Sequence, residues 1–204
     1  SSVARNTGIR AATGDIVLIL DDDVVLGEDY LERLLSLYEQ YDSDELVGVG
    51  GYSSEMVQPQ SLVGHLHDIL FYQSHTGWDV NKAGMSNACP LNKPTRADWL
   101  IANNASFKRE AIAAHPFPQW SRGREPHEDL AVCWGLKQAG YHFLVAPDLD
   151  FIHNETPIEE TSFQTAVRKG RNRVRIFRYY GHRRHVPLFL WAMIGEVLRL
   201  CFEP

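Results

Sequence analysis

The chain has 204 residues, 44% of them hydrophobic and 23% charged, and a formal net charge of −6. That length allows one domain with a substantial core, and the composition is that of an ordinary globular protein rather than a disordered one. The charge is uneven: residues 1–167 hold 24 acidic and 11 basic side chains, whereas residues 168–204 hold 2 and 9. An acidic body repels a long polyanion, which argues against nucleic acid as a partner. A basic tail suits a diphosphate or an anionic lipid surface, or else is a solvated, Arg-rich helix face.

Cys89, Cys133 and Cys201 are odd in number and lack C-x-x-C spacing, which fits neither a disulfide framework nor a structural zinc site and suits a reducing compartment. Cys133 falls on an apolar helix face and is expected in the core. The chain opens on Ser1-Ser2-Val3 without a start Met, and is expected to be an N-terminally truncated piece of a longer protein. No apolar run reaches the length of a membrane span, because Glu196 and Arg199 interrupt the stretch from Val186 to Phe202.

In chain order, Val3 to Ala12 reads as a helix closed by Gly14, and Asp15 to Leu20 as a strand that is apolar without alternation, hence buried on both faces. Glu28 to Tyr41 is a helix with Tyr30, Leu31, Leu34, Leu35 and Tyr38 on one stripe. Leu46 to Tyr52 is a strand whose Gly48, Gly50 and Gly51 mark a bulge or a close backbone approach. A helix over Leu62 to Ser74 precedes a polar stretch, Thr76 to Arg96, expected to be a binding loop or disordered. Trp99 to Lys108 is a strand, Arg109 to His115 a short helix, Glu128 to Ala139 a helix stopped by Gly140, and Tyr141 to Ala146 a strand ended by Pro147. The alternation predicts an α/β domain, a mostly parallel sheet flanked by helices, over residues 1–167. Residues 168–204 form a basic and apolar helical segment.

Four constellations carry chemistry. The strand ending at Leu20 runs into Asp21-Asp22-Asp23, three carboxylates that raise each other's pKa values unless a cation sits among them. A strand's carboxyl end is where open α/β sheets bind ligands. A solvated acidic turn is the plain alternative, and an EF-hand fits poorly because Val24 and Val25 stand where further oxygen ligands belong. His127-Glu128-Asp129-Leu130 opens a helix on which Asp129, Val132, Cys133 and Leu136 share one face. That face is apolar, so Asp129 points inward at the rim of the core, as a general base tuned by partial burial would; the alternative is an acidic first turn serving as cap and dipole partner. His153 ends Asp148-Leu149-Asp150-Phe151-Ile152-His153, and Arg168-Lys169-Gly170-Arg171-Asn172-Arg173-Val174-Arg175 offers guanidinium forks that match phosphate oxygens.

Together "ARNTGIRAATGDIVLILDDDVVL", "ADWLIANNASFKREAI", "HEDLAVCWGLKQAGY" and "PDLDFIH" resemble the family 2 glycosyltransferases, of GT-A fold, from Val3 to about Arg175. The resemblance implies a D-x-D pair, Asp21 and Asp23, holding Mn2+ or Mg2+ on a donor diphosphate, with His153 as metal-proximal ligand. It implies Asp129 as catalytic base with Glu128 beside it. Arg5, Asn6 and Asp22 fall to the nucleotide-sugar donor, as do Arg168 and Arg171. Asn103 and Asn104 fall to the acceptor side, where Trp99 and Trp78 are candidate platforms for a sugar ring. The family's opening strand–helix–strand is not found in the chain, so this piece alone is expected to be poorly active. A Q-x-x-R-W motif is absent, which argues against a processive polysaccharide synthase.

The expected activity is inverting transfer of a sugar to the hydroxyl of a glycan, a lipid-linked acceptor or a cell-surface polysaccharide precursor. The location would be cytoplasmic, with an anionic membrane surface as a further partner. The rivals are a nucleotidyltransferase on a similar sheet and a non-catalytic sugar-nucleotide-binding domain.

Overall fold

A computed structural model describes residues 2–52, 57, 61–73, 77–120, 126–154 and 162–202. Its elements are α1 (Ser2–Ala11), β1 (Ile16–Leu20), β2 (Val24–Leu26), α2 (Tyr30–Gln40), β3 (Leu46–Gly50), α3 (Leu62–Leu70), β4 (Thr95–Ala97), β5 (Asn104–Lys108), α4 (Arg109–Ala114), α5 (Glu128–Gln138), β6 (His142–Val145), β7 (Phe151–His153), α6 (Ser162–Tyr180), a 3-10 turn (Arg183–His185) and α7 (Val186–Phe202).

Five strands form the central sheet in the order β1-β5-β3-β6-β4, and β2 pairs with β7 in a separate two-stranded ribbon. β3 and β6 are parallel neighbours, while β5 runs antiparallel between β1 and β3. β1, β3 and β6 therefore share one direction, yet three of the four pairings are antiparallel, including that of β6 with the edge strand β4, which corrects the expectation of a mostly parallel sheet. β1 lies at the other edge and is only half-buried along most of its length, which corrects the expectation of burial on both faces.

Alternation along the strands divides the core. Leu46, Val49 and Leu144 face α2, where they meet Tyr30, Leu34, Leu37 and Tyr38. Val47, Ala105, Phe107, Phe143 and Val145 face the other way, onto Val132, Cys133 and Leu136 of α5. Cys133 is core as expected, its Sγ accepting from the Leu100 N–H at 3.4 Å. The outer face of α5 carries Leu130 and Trp134 into a third cluster with Ile176 and Phe177 of α6 and Phe189 of α7.

The glycine-rich strand behaves as its composition predicts: the β3 register shifts between Leu46 and Gly48, and a Cβ on Gly48 would lie 2.8 Å from the Phe143 ring. Of the stretch expected to be a binding loop or disordered, residues 77–96 are ordered, and their first half packs into the core. Trp78, Ala83 and Met85 are buried, and Asn81 Oδ1 accepts from the N–H groups of Ala83 and Met85. A segment without periodicity can still be ordered when its polar side chains satisfy its own backbone. Thr76 and the predicted helix end at Ser74 lie outside the described residues.

Candidate functional site

The site gathers where β1 ends. Val24 N–H bonds back to Asp21 C=O at 3.3 Å, so the three aspartates form a tight turn between β1 and β2. Asp22 is exposed at its tip, while Asp21 and Asp23 are half-buried. The β2–β7 pairing sets Val24 opposite His153, and Asn154 N–H bonds to Asp23 C=O at 2.9 Å. That register delivers His153 to the acidic turn, with Nε2 3.0 Å from Asp23 Oδ1. One ligand atom from each of Asp21, Asp23 and His153 falls within 4.8 Å of the other two. Asp23 Oδ1 is buried, with His153 Nε2 beside it and no well-aligned hydrogen bond, an arrangement that a cation between the two side chains would satisfy. Two carboxylates and one imidazole suit Mn2+, and the carboxylates suit Mg2+.

Asn103 ties this cluster to the strand behind it. Its C=O accepts from the Asp21 N–H at 3.1 Å, and its Nδ2 lies 3.5 Å from His153 Nδ1. One residue earlier, the Ala102 N–H points to Asp129 Oδ2 at 3.4 Å, while the Leu130 N–H meets Asp129 Oδ1 at 2.8 Å. The turn at Ala102–Asn103 thus has the cation cluster on one side and Asp129 on the other. Desolvation pushes the Asp129 carboxyl above the ordinary range, opposed by those two N–H groups and Arg5, and reinforced by the charge of Glu128. Its helix neighbours Val132, Cys133 and Leu136 are buried as the periodicity predicts.

Glu128 does something different from Asp129. It is 6% exposed and turned to α1, where Ser2 (through N–H at 3.1 Å and through Oγ) and Arg5 Nη1 donate to it. Arg5 Nη2 also lies 2.9 Å from Asp21 Oδ1. One guanidinium therefore links α1, the acidic turn and the start of α5. The Glu128 carboxylate thus holds α1 against α5.

Other expected site residues are redirected too. Asn6 is buried, with Nδ2 donating to Phe117 C=O at 2.7 Å and Oδ1 accepting from Phe117 N–H at 2.9 Å, so its side chain fastens α1 rather than facing the donor. Asn104 is fully buried on the α2 face of the sheet, where Oδ1 accepts from the Tyr30 hydroxyl at 2.6 Å. Trp78 is core, which removes it as a sugar platform. Trp99 stays half-buried, its ring 5.4 Å from Trp78 and its Nε1 donating to Asn87 C=O at 2.9 Å.

Arg168 is half-buried and Arg171 exposed on α6. Asn172 Nδ2 donates to Pro126 C=O at 3.0 Å, which pins this arginine-rich stretch beside the start of α5. There His127 takes a left-handed backbone (φ 64°), and burial followed by the charges of Arg173 and Lys169 drives its pKa well below the ordinary imidazole range. Sequence reasoning missed Ser2 and the backbone of Ala102, since contacts between residues so far apart in the chain leave no local signal.

A helix-flanked sheet with one parallel pair, β3–β6, and an acidic turn at its first strand, facing the start of a helix that presents a carboxylate, defines a GT-A-like glycosyltransferase fold. The profile described as "Glycosyl transferase family 2" matches residues 1–103, and the chain belongs to that family. A mannosyltransferase, PcManGT from Pyrobaculum calidifontis in complex with GDP-Man and Mn2+, superposes with a TM-score of 0.55 at 17% identity, over 98% of this chain and 53% of that one. GalNAc-T7 with UDP, GalNAc and Mn2+ does so with a TM-score of 0.54 at 13% identity, over 95% of this chain and 40% of that one. The chain thus spans about half the length of the first and less of the second. No curated protein sequence matches significantly.

Proposed function

We propose that this chain carries the catalytic centre of an inverting glycosyltransferase, which moves a sugar from a nucleoside-diphosphate donor to an acceptor hydroxyl. The observation that carries the reading is the convergence of Asp21, Asp23 and His153 with Asp129 around the single turn Ala102–Asn103. Asp21, Asp23 and His153 would hold Mn2+ or Mg2+, which would supply positive charge to the leaving diphosphate. PcManGT and GalNAc-T7 both carry Mn2+ with nucleotide ligands in their solved structures, which supports that assignment.

Asp129 accepts the proton of the acceptor hydroxyl as that oxygen attacks the anomeric carbon from the side opposite the diphosphate, so configuration inverts. Its raised pKa makes it a stronger base than an exposed carboxylate, and general-base help of this kind is worth about 10²–10⁴-fold. Arg5 braces Asp21. Arg168 and Arg171 belong to the donor diphosphate, Asp22 to the rim of the donor site, and Trp99 and Asn103 to the acceptor side. The catalytic unit is residues 1–167, and the helical segment 168–204 is its appendage. The acceptor is a sugar or lipid-linked hydroxyl, as in polysaccharide precursor assembly on the inner face of a membrane.

Incubating the full-length protein with a panel of nucleotide sugars and Mn2+ tests this. Release of nucleoside diphosphate with product of inverted anomeric configuration is expected. Release of pyrophosphate instead identifies a nucleotidyltransferase.

A further inference from the structure

No described helix is long and apolar enough to cross a membrane, yet α3 and α7 put an unusual surface on the outside. In α3 the exposed residues are Leu62, Val63, Leu66, Ile69 and Leu70, with His65 the one polar exception; Leu62 is 75% exposed and Val63 77%. In α7 the exposed residues among those described are Val186, Pro187, Leu190, Trp191, Ile194, Val197 and Leu198, all apolar. Both sets recur at helical spacing. These are stripes on the wrong side of each helix, since Phe189 and Ala192 of α7 already face the core.

The two stripes form one face. Trp191 Nε1 donates to Leu70 C=O at 2.8 Å, His67 Nε2 lies 3.1 Å from Gly195 C=O, and Arg199 pairs with Asp68. Trp191 meets the C-terminal end of α3, whereas Gly195 and Arg199 meet His67 and Asp68 nearer its start, so the helices run antiparallel. On each helix the residues touching the other helix lie between the buried side and the apolar stripe. Two antiparallel helices of one hand that share this arrangement open their stripes to the same side, away from the core. Gly195 permits the close approach, because a Cβ there would lie 2.6 Å from Phe71 Cγ, and the Phe71 ring stacks on Trp191 at 5.2 Å.

Charge identifies the occupant. Exposed Arg183 and Arg184 stand at the N-terminal end of α7, where Arg184 Nε donates to His185 Nε2 at 3.1 Å and the His182 and His185 rings lie 6.0 Å apart. Among the described residues no acidic side chain is exposed on α3, the 3-10 turn or α7: Asp68 is buried against Arg199, and Glu196 is half-buried, its charge acting on Arg173. A flat apolar face flanked by cations is the signature of an element that lies in a bilayer interface and selects anionic lipid. A tryptophan at the seam suits the headgroup level.

We infer that α3 and α7 together form a membrane-docking platform, which seats the protein on an anionic bilayer with Arg183 and Arg184 over the headgroups. The inference does not depend on the transferase chemistry. Each cation near such a surface is worth on the order of fivefold in partitioning, and less as salt rises.

The test is co-sedimentation of the full-length protein with phosphatidylglycerol vesicles and with phosphatidylcholine vesicles. Salt-sensitive binding to the first is expected, with Trp191 emission quenched by brominated acyl chains and that quenching lost in Trp191→Phe. Leu66→Glu with Ile194→Glu should reduce binding at least tenfold while the circular dichroism spectrum stays unchanged. Arg183→Glu with Arg184→Glu should remove the preference for anionic lipid. Equal recovery in the supernatant with and without vesicles at low salt overturns the inference. So does a solution dimer that the Leu66→Glu/Ile194→Glu protein fails to form, which assigns the face to a second copy.

Discussion

The Arg5 guanidinium lies 2.9 Å from Asp21 Oδ1, and its other terminal nitrogen pairs with Glu128. A residue of the first helix thereby touches both an expected cation ligand and the neighbour of the proposed base. Arg5 and Glu128 are both largely enclosed, with side chains 15% and 8% exposed.

Removing one partner of such a pair leaves a charge stranded. Arg5→Met is expected to lower unfolding free energy by roughly 3–5 kcal/mol, the range for breaking a buried pair from one side. Urea denaturation at neutral pH measures it, and Glu128→Gln, which keeps acceptor capacity toward Ser2, should cost less.

Asp129 gives a prediction with opposite signs for stability and activity. Its folded-state pKa is raised, so the folded protein holds that proton more tightly than the unfolded chain does. Its contribution to stability is complete below the ordinary carboxyl pKa and is lost as pH climbs through the folded value. Asp129→Asn should therefore stabilise the protein at pH 7, with the advantage shrinking as pH falls toward about 4. The same substitution should cut turnover by roughly 10²-fold or more while leaving donor affinity nearly intact. Near-normal turnover would remove Asp129 from the mechanism.

For the cation, Asp23→Ala and His153→Ala should each abolish Mn2+-dependent binding of a nucleoside diphosphate in calorimetry. Both contribute to the one cluster with mutually close ligand atoms. Undiminished heat in either variant would separate that residue from the cation.

Gly195→Ala tests the α3–α7 seam. The added methyl would press on Phe71 Cβ and Cγ rather than on the free end of a chain. Overpacking of this kind costs about 1–3 kcal/mol. A thermal midpoint equal to wild type would show that the helices part without penalty.

The helix α2 was legible because it carries a long apolar stripe, α5 because an acidic first turn and Gly140 bound an apolar run, and the acidic turn because it interrupts an apolar strand. β2, β4 and β7 were not, since three residues are too few to show a period. Asn103 and Asn104 show a subtler limit. Adjacent in sequence, they invite one shared role, but successive residues at a strand's start project to opposite faces. Asn103 goes to His153 and Asn104 to Tyr30. Asn6 and Glu128 stood in matching motifs yet serve the packing of α1, because their partners Phe117 and Ser2 lie 111 and 126 residues away.

The ribbon of β2 and β7 has a consequence for how the site keeps its order. Two strands of three residues, with Val25 and Ile152 exposed, have little cooperative stability of their own. Yet this ribbon sets the spacing between Asp23 and His153. Amide hydrogen exchange across residues 23–26 and 151–154 is expected to be fast without Mn2+ and to slow when Mn2+ binds, while β3 and β6 stay protected throughout. The cation then does for this ribbon what a third strand does for a hairpin: it closes a structure that two short strands leave half-made.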